Sequence, residues 1–183
     1  MIPQDTRDEI LEALNKALVN AEEEILLSKF ALGEASTAEL AQIFAAIPAS
    51  VTTLVLSEND LGEKTGAELA QAFAAIPVSI TATTLVLYDN DLGSMTGAEL
   101  AEAFAAIPAS VTTLDLCSNG LAEKTGSELA QAFAAIPASI TTLDLSCNGL
   151  AEKTGSELAQ AFAAIPVSIT TITLVLSENN LGE

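Results

Sequence analysis

One phrase recurs along this chain at a nearly fixed spacing, and that repeat constrains the fold more than any other feature. Its clearest copy, residues 54–61, reads L-x-L-x-x-N-x-L. The same frame begins again at Leu85, Leu114, Leu143 and Leu174, after steps of two slightly different lengths. A weaker copy spans residues 25–32, with Phe30 in place of the asparagine. A period of this size is typical of a solenoid, in which each repeat is one structural unit stacked on its neighbours.

The first half of each repeat has the pattern of a short strand. Leu54 and Leu56 alternate with Thr53, Val55 and Ser57, so the leucines are predicted to point one way and the other three side chains the opposite way. An asparagine follows where the chain leaves the strand, and its short amide can satisfy backbone groups there. We therefore predict a structural asparagine ladder formed by Asn59, Asn90, Asn119, Asn148 and Asn179.

The second half of each repeat has the pattern of a helix. Thr65, with Glu68 three residues later, forms a capping box, which typically starts a helix. Leu69 and Phe73 then fall on one helical face, and Pro77 ends the segment. Equivalent capping pairs are Ser36/Glu39, Thr96/Glu99, Thr125/Glu128 and Thr154/Glu157.

Neither half of a repeat can bury its apolar face alone, so stacking is needed to build a core. The predicted fold class is therefore α/β, a right-handed solenoid with a curved parallel sheet on the concave face and α-helices on the convex face. We expect a single domain covering residues 1–183. Residues 1–23 are predicted to form a capping helix that starts at a Thr6/Glu9 box and carries Ile10, Leu11, Leu14 and Leu18 on one helical face. Residues 24–183 form about five and a half repeats, each of roughly 29–31 residues.

The last repeat is expected to be incomplete, because residues 181–183 align with residues 61–63 and no helix follows. An open sheet edge would remain there, and exposed edges invite pairing with another chain. A truncated or designed end is the favoured interpretation, and self-association through the C-terminal repeat is the alternative.

These motifs resemble the leucine-rich repeat family. The helix-bearing repeat, L-x-L-x-x-N-x-L-G followed by E-L-A-x-A-F, is most similar to the ribonuclease-inhibitor-like class. The phrase A-I-P-A-S-V-T-T-L-x-L-S also resembles repeats of bacterial effector proteins that are delivered into host cells. The resemblance covers residues 24–183. It implies a module that binds another protein on its concave sheet, in some members by blocking an enzyme's active-site cleft.

Charge narrows the choice of partners. The formal net charge is -19, with six lysines and arginines together and no histidine. Nucleic acids and anionic membrane surfaces both require basic faces, so we expect neither as a partner. A protein with a basic surface would be attracted instead. The absence of a membrane-length apolar run and of a secretory signal indicates a soluble protein of a reducing cytoplasm or, for an effector, of a host cell. The two cysteines, Cys117 and Cys147, are then expected to be reduced, although their spacing does not exclude a disulfide.

The variable positions of the strands are the candidate binding residues. Tyr88 is the only tyrosine of the chain and is a candidate anchor. Asp115 and Asp144 should be neighbours, either as an acidic spot for a lysine, an arginine or a cation, or as a tolerated variant of the repeat. The weaker first repeat is expected to add Glu24, Leu26 and Ser28 to the same face. The candidate protein-binding residues on the concave face are Thr53, Val55, Ser57, Thr84, Val86, Tyr88, Asp89, Asp115, Cys117, Asp144, Ser146 and Val175.

Catalysis has little support in this sequence. Without histidine, neither a serine nor Cys117 has its usual base. The chain has no phosphate-binding loop and no fixed metal-ligand spacing, so no cofactor or metal is predicted. The predicted function is protein binding through the concave face, in the manner of an effector-type inhibitor or adaptor. Residues 121–137 and 150–166 are identical, which favours one alternative, an engineered repeat scaffold without a natural partner.

Overall fold

The computed structural model describes residues 2–77, 80 and 83–173. Within them, six parallel strands alternate with six α-helices, and a one-turn 3₁₀ helix follows each of the first five strands. The strands are β1 (Glu24–Leu26), β2 (Thr53–Val55), β3 (Thr84–Val86), β4 (Thr113–Asp115), β5 (Thr142–Asp144) and β6 (Thr171–Thr173). The helices are α1 (Gln4–Asn20), α2 (Thr37–Ala45), α3 (Gly66–Ala74), α4 (Gly97–Ala105), α5 (Gly126–Ala134) and α6 (Gly155–Ala163).

The sheet follows the order of the sequence, and each strand pairs with the next in parallel. Leu54 lies opposite Leu85, and Leu114 lies opposite Leu143, although the first of these steps along the chain is longer than the second. Helices α2 to α6 stack on one another in the same order. The predicted α/β solenoid, with a parallel sheet on the concave side and helices on the convex side, is confirmed.

Capping boxes start the helices of the repeats, as predicted. In α3 the Thr65 hydroxyl accepts a hydrogen bond from the Glu68 amide at 3.3 Å. The Glu68 carboxylate accepts one from the Thr65 amide at 3.0 Å. The same reciprocal pair is present in α2, α4, α5 and α6. Each box satisfies backbone N–H groups that the first helical turn leaves unpaired.

The core lies between the sheet and the helix layer. Its leucines come from strands, 3₁₀ helices and α-helices, and its fully buried phenylalanine rings come from the α-helices. Leu54, Leu56 and Phe73, for example, are all at most 1% exposed. Phe44 of α2 and Phe73 of α3 stack with their ring centroids 6.2 Å apart. Stacked repeats thus form one continuous apolar layer, because each strand and helix completes the burial of its neighbours.

The asparagines form the predicted ladder along one edge of this core. The Asn119 amide donates to the carbonyls of Leu87 in the preceding repeat, at 2.9 Å, and of Leu116 in its own repeat, at 3.0 Å. Its oxygen accepts from the amides of Asn90, at 3.1 Å, and Leu92, at 3.3 Å. The described members, all at most 1% exposed, are Asn59, Asn90, Asn119 and Asn148. Asn179 lies outside the described residues.

The N-terminal helix begins differently from the prediction. Helix α1 starts at Gln4, Pro3 occupies the N-cap position, and no side chain caps the helix. The predicted Thr6/Glu9 capping box is therefore wrong, because Thr6 already lies inside the first turn. Proline tolerates this place well, since its fixed φ suits the entry to a helix and it has no N–H to leave unpaired.

The buried side of α1 is also narrower than predicted. Ile10, Leu14 and Ala17 are buried, at the spacing of a single helical stripe. Leu11 and Leu18, which were predicted to share this face, are 55% and 65% exposed and lie outside the buried stripe. Helix α1 contacts β1, and a helix that packs along one side buries only the residues of that side.

The last strand is paired two residues earlier than the leucine frame predicts. Ile172, rather than Leu174, lies opposite Leu143, and Thr173 lies opposite Asp144. A shift of two residues preserves the face of each side chain, because strand side chains alternate with a period of two. The step from β5 to β6 therefore has the shorter of the two repeat lengths, whereas the spacing of the leucines in the sequence predicts the longer one. The predicted copy at residues 174–181 lies outside the described residues.

Candidate functional site

Two rows of side chains run across the face of the sheet that the helices leave open. In β2 to β5 the first and third residues of each strand are partly exposed and the middle residue is buried. Across β1 to β6, the first row consists of Glu24, Thr53, Thr84, Thr113, Thr142 and Thr171. The second row consists of Leu26, Val55, Val86, Asp115, Asp144 and Thr173. The strand register thus brings the variable residues of successive repeats side by side.

The second row changes character along the sheet. Its first three residues are apolar, and Leu26 is 59% exposed. Its next two are the carboxylates Asp115 and Asp144, which face each other across β4 and β5. Neighbouring parallel strands lie about 4.8 Å apart, so this row combines an apolar half and an acidic half within one strip.

The two carboxylates are held by their own backbones. Asp115 Oδ1 accepts a hydrogen bond from the Cys117 amide, and Asp144 Oδ1 accepts one from the Ser146 amide, both at 2.8 Å. Burial raises the pKa of Asp115; the Cys117 amide opposes this rise and the charge of Asp144 adds to it. A cation placed between the two side chains would relieve that repulsion.

A third row lies just beyond the strand ends. Tyr88 is 38% exposed there, next to Val86 of the second row. The serines in the same slot are not accessible, since Ser57 is 8% and Ser146 only 3% exposed. Their predicted place on an open binding surface is therefore wrong. The chain turns into the ladder at this point, and a side chain as small as serine is covered there, whereas the tyrosine ring extends past the turn.

Two other predicted site residues have distinct positions. Asp89 is exposed with a left-handed backbone (φ 53°), on the rim of a shallow polar depression that Lys29, Glu58 and Asp60 also line. Lys29 and Glu58 are 3.1 Å apart in an ion pair across this depression. Val175 lies outside the described residues.

Cys117 lies in the third row, between Tyr88 and Ser146, and is partly buried. Burial, followed by a hydrogen bond with the Cys147 side chain, raises the pKa of the Cys117 thiol to about 12. This thiol is therefore neutral at physiological pH and is a poor nucleophile.

Sequence reasoning placed Leu26 on the concave face but left it out of the candidate binding residues. At 59% exposed, it is the most exposed apolar residue on the part of the sheet face that the structure describes. The backbone hydrogen bonds of Asp115 and Asp144 were missed, although an aspartate two residues before the amide is a recognisable side-chain–backbone motif.

Comparison with known proteins identifies the repeat. None of the helices in the described residues is both long and apolar enough to cross a membrane. No protein-family model matches the chain, and no curated protein matches it. The crystal structure of the leucine-rich repeat-containing protein LegL7 from Legionella pneumophila is similar, with 42% sequence identity and a TM-score of 0.81. The similarity covers 93% of this chain and 53% of that protein, so the chain spans about half of its length. With its L-x-L strands, buried asparagine ladder and capped helices in register, this chain belongs to the leucine-rich repeat family.

Proposed function

We propose that this protein binds another protein on the open face of its sheet, with the second row and Tyr88 as the contact surface. Leucine-rich repeat solenoids are generally protein-interaction modules, and their curvature creates extended concave surfaces. The observation that carries the proposal is the alignment of Leu26, Val55 and Val86 beside the exposed ring of Tyr88. Apolar side chains and a large amphipathic ring on an open sheet are the usual anchors of a protein interface.

The acidic half of the second row supports a partner with a basic surface. Asp115 and Asp144 are partly exposed beside the apolar half, and the whole chain carries a formal charge of -19. Such a field attracts a basic protein and gives an association rate that falls as salt rises. An effector-type inhibitor or adaptor, acting by occupying a surface of its target, is the form of this function that the repeat resemblance favours.

The test compares two substitutions that add the same charge on opposite sides of the solenoid. Val86→Arg places a long cation in the middle of the second row. Gln71→Arg places it on the exposed side of α3. Proteins retained from a eukaryotic cell lysate by the wild-type chain are identified by quantitative mass spectrometry, and the binding of one saturable partner is then measured with purified protein.

We expect Val86→Arg to weaken that binding by at least about tenfold and Gln71→Arg to leave it unchanged, because truncated or obstructed anchors typically cost about 2 kcal/mol or more. Tyr88→Ala should weaken it comparably. Equal binding by all variants would place the interface elsewhere. A complete lack of saturable partners would favour the alternative of a structural scaffold.

A further inference from the structure

The chain has two cysteines, and the fold brings them to the same seam between two repeats. Strands β4 and β5 pair with Asp115 opposite Asp144. Beyond the strands, the Ser118 amide donates to the Ser146 carbonyl at 3.1 Å, and the Asn119 amide donates to Asn148 Oδ1 at 2.9 Å. Cys117 and Cys147 lie within this hydrogen-bonded stretch, so the backbone on both sides of the seam is held in place.

The two thiols meet across the seam. Cys117 comes just before Ser118, and Cys147 comes just after Ser146. Because Ser118 is hydrogen bonded to Ser146, the two cysteines are diagonal neighbours across the seam. Their side chains are close enough to hydrogen bond with each other. No disulfide joins the two cysteines in this structure, and both are partly exposed, so a small reagent has access to the pair.

Metal binding and catalysis are less well supported as roles for this pair of cysteines. No group of three or more cysteine, aspartate or glutamate side chains is arranged to hold a metal ion in the part of the chain that the structure describes. The chain has no histidine that would activate either thiol for catalysis. What remains is the chemistry of two thiols with each other.

We propose that Cys117 and Cys147 are a reversible cross-linking site, at which a small disulfide such as oxidised glutathione joins the fourth repeat to the fifth. One cysteine, as its thiolate, attacks a sulfur of the small disulfide and releases one small thiol. The second cysteine loses its proton and attacks the resulting mixed disulfide, which releases the second small thiol. The protein loses two hydrogen atoms, its two sulfurs are oxidised, and the small disulfide is reduced.

The fold sets both the stability and the rate of this cross-link. The two cysteines lie in turns that backbone hydrogen bonds hold side by side. A disulfide between them restricts the unfolded chain by closing a loop of about one repeat. Because the Cys117 thiol stays neutral near neutral pH, the reaction should be slow there and should accelerate as the pH rises. This inference does not depend on the proposed partner.

Intact mass measurement of the folded, full chain is the direct test. After incubation with oxidised glutathione in mildly alkaline buffer, we expect the loss of two hydrogen atoms, with no glutathione attached. Trypsin cleaves after Lys124, between the two cysteines, so one linked peptide pair should separate into two peptides on reduction. The thermal midpoint should rise by roughly 5–10 °C and return to its original value with dithiothreitol.

The single variants Cys117→Ser and Cys147→Ser are the matched controls. Each should retain glutathione on its remaining cysteine or form a covalent dimer, and neither should show the reversible rise in thermal midpoint. Persistent attachment of glutathione to the wild-type chain, covalent dimers of it, or two thiols that react only after unfolding would each overturn the proposal.

Discussion

Two segments of this protein have the same sequence and different surroundings. Residues 121–137, which include α5, and residues 150–166, which include α6, are identical. Helix α5 packs between α4 and α6, whereas α6 packs against α5 alone among the described helices. Phe133 is 0% exposed and Leu129 is 1% exposed, but the equivalent Phe162 and Leu158 are only partly buried.

This difference separates the structure that one repeat forms by itself from the burial that neighbouring repeats provide. Both segments form the same strand-following turn, capping box and nine-residue helix. Local structure is therefore encoded within one repeat, while complete burial of the helix residues requires the next repeat in the stack. The energy of such an array is close to a sum of repeat terms and nearest-neighbour interface terms.

Truncating the equivalent phenylalanines should reveal the interface term most strongly. Phe133→Ala should lower the free energy of unfolding by about 3–5 kcal/mol, because it leaves a cavity in a filled core. Phe162→Ala should cost less than half as much. Urea unfolding followed by circular dichroism measures both. Equal losses would show that α6 is covered in solution, and light scattering would then distinguish a second copy of the chain from a monomer.

Adding one methyl group at the first residue of each helix should change stability in opposite directions in α5 and α6. A Cβ at Gly126 would lie 2.6 Å from Glu157 Cα, whereas nothing lies within 4 Å of a Cβ at Gly155. Gly126→Ala should therefore destabilise by about 1–3 kcal/mol through overpacking. Gly155→Ala should stabilise by up to about 1 kcal/mol, because alanine is the better helix former.

Thermal unfolding of the two variants checks this pair. A loss of stability in Gly155→Ala would mean that something packs on α6 as closely as α6 packs on α5. A neutral Gly126→Ala would mean that the helices separate easily, and the nearest-neighbour account of the comparison would fail.

Removing the capping residue should affect the two segments alike. Thr125 and Thr154 each accept a hydrogen bond from the glutamate amide three residues later at 3.3 Å. Thr125→Ala and Thr154→Ala should each cost about 1 kcal/mol, since a cap acts within its own helix. Denaturant midpoints provide the measurement. A cost confined to Thr125 would contradict the view that helix initiation is a property of a single repeat.

Features with a period were predictable from the sequence. The leucine, asparagine and threonine–glutamate positions recur along the chain, and each has a local physical reason to recur: strand alternation, backbone satisfaction or helix capping. From them the solenoid, the four described members of the ladder and the capping boxes of the repeats were all predicted correctly. The neighbours across the open face, such as Val86 beside Asp115, follow from the same register.

Features that depend on how the surrounding chain packs, such as side-chain exposure and strand register, were not predictable from the sequence. Strand alternation assigned Ser57 and Tyr88 to the same surface, yet one is 8% and the other 38% exposed, because side-chain length decides which of them emerges from the turn. The start of α1 was missed because Thr6 and Glu9 imitate a capping box inside a helix that begins earlier. The register of β6 depends on where two additional residues are accommodated, and no local pattern fixes that choice.

The smallest expected effect is the contribution of individual carboxylates to the pH dependence of folding stability. A hydrogen bond from the Thr125 amide holds the pKa of Glu128 below its ordinary value, and the Thr154 amide does the same for Glu157. Their contribution to stability is present above about pH 4.3 and is lost as the pH falls through the lower folded pKa. Burial instead raises the pKa of Asp115, so its charged form opposes folding at neutral pH.

Stability measured from neutral to acidic pH distinguishes the two kinds of carboxylate. Glu128→Gln and Glu157→Gln should both be less stable than the wild type at neutral pH, and the deficit should shrink as the pH falls below about 4. Asp115→Asn should be slightly more stable at neutral pH, and its advantage should shrink as the pH falls through the raised pKa of Asp115 and be gone at about pH 3.9, where the glutamate deficits are only beginning to shrink. A loss of stability in Asp115→Asn would mean that the carboxylate is needed to hold the Cys117 amide. The acidic half of the second row would then be a structural feature of the repeat rather than a surface available to a partner.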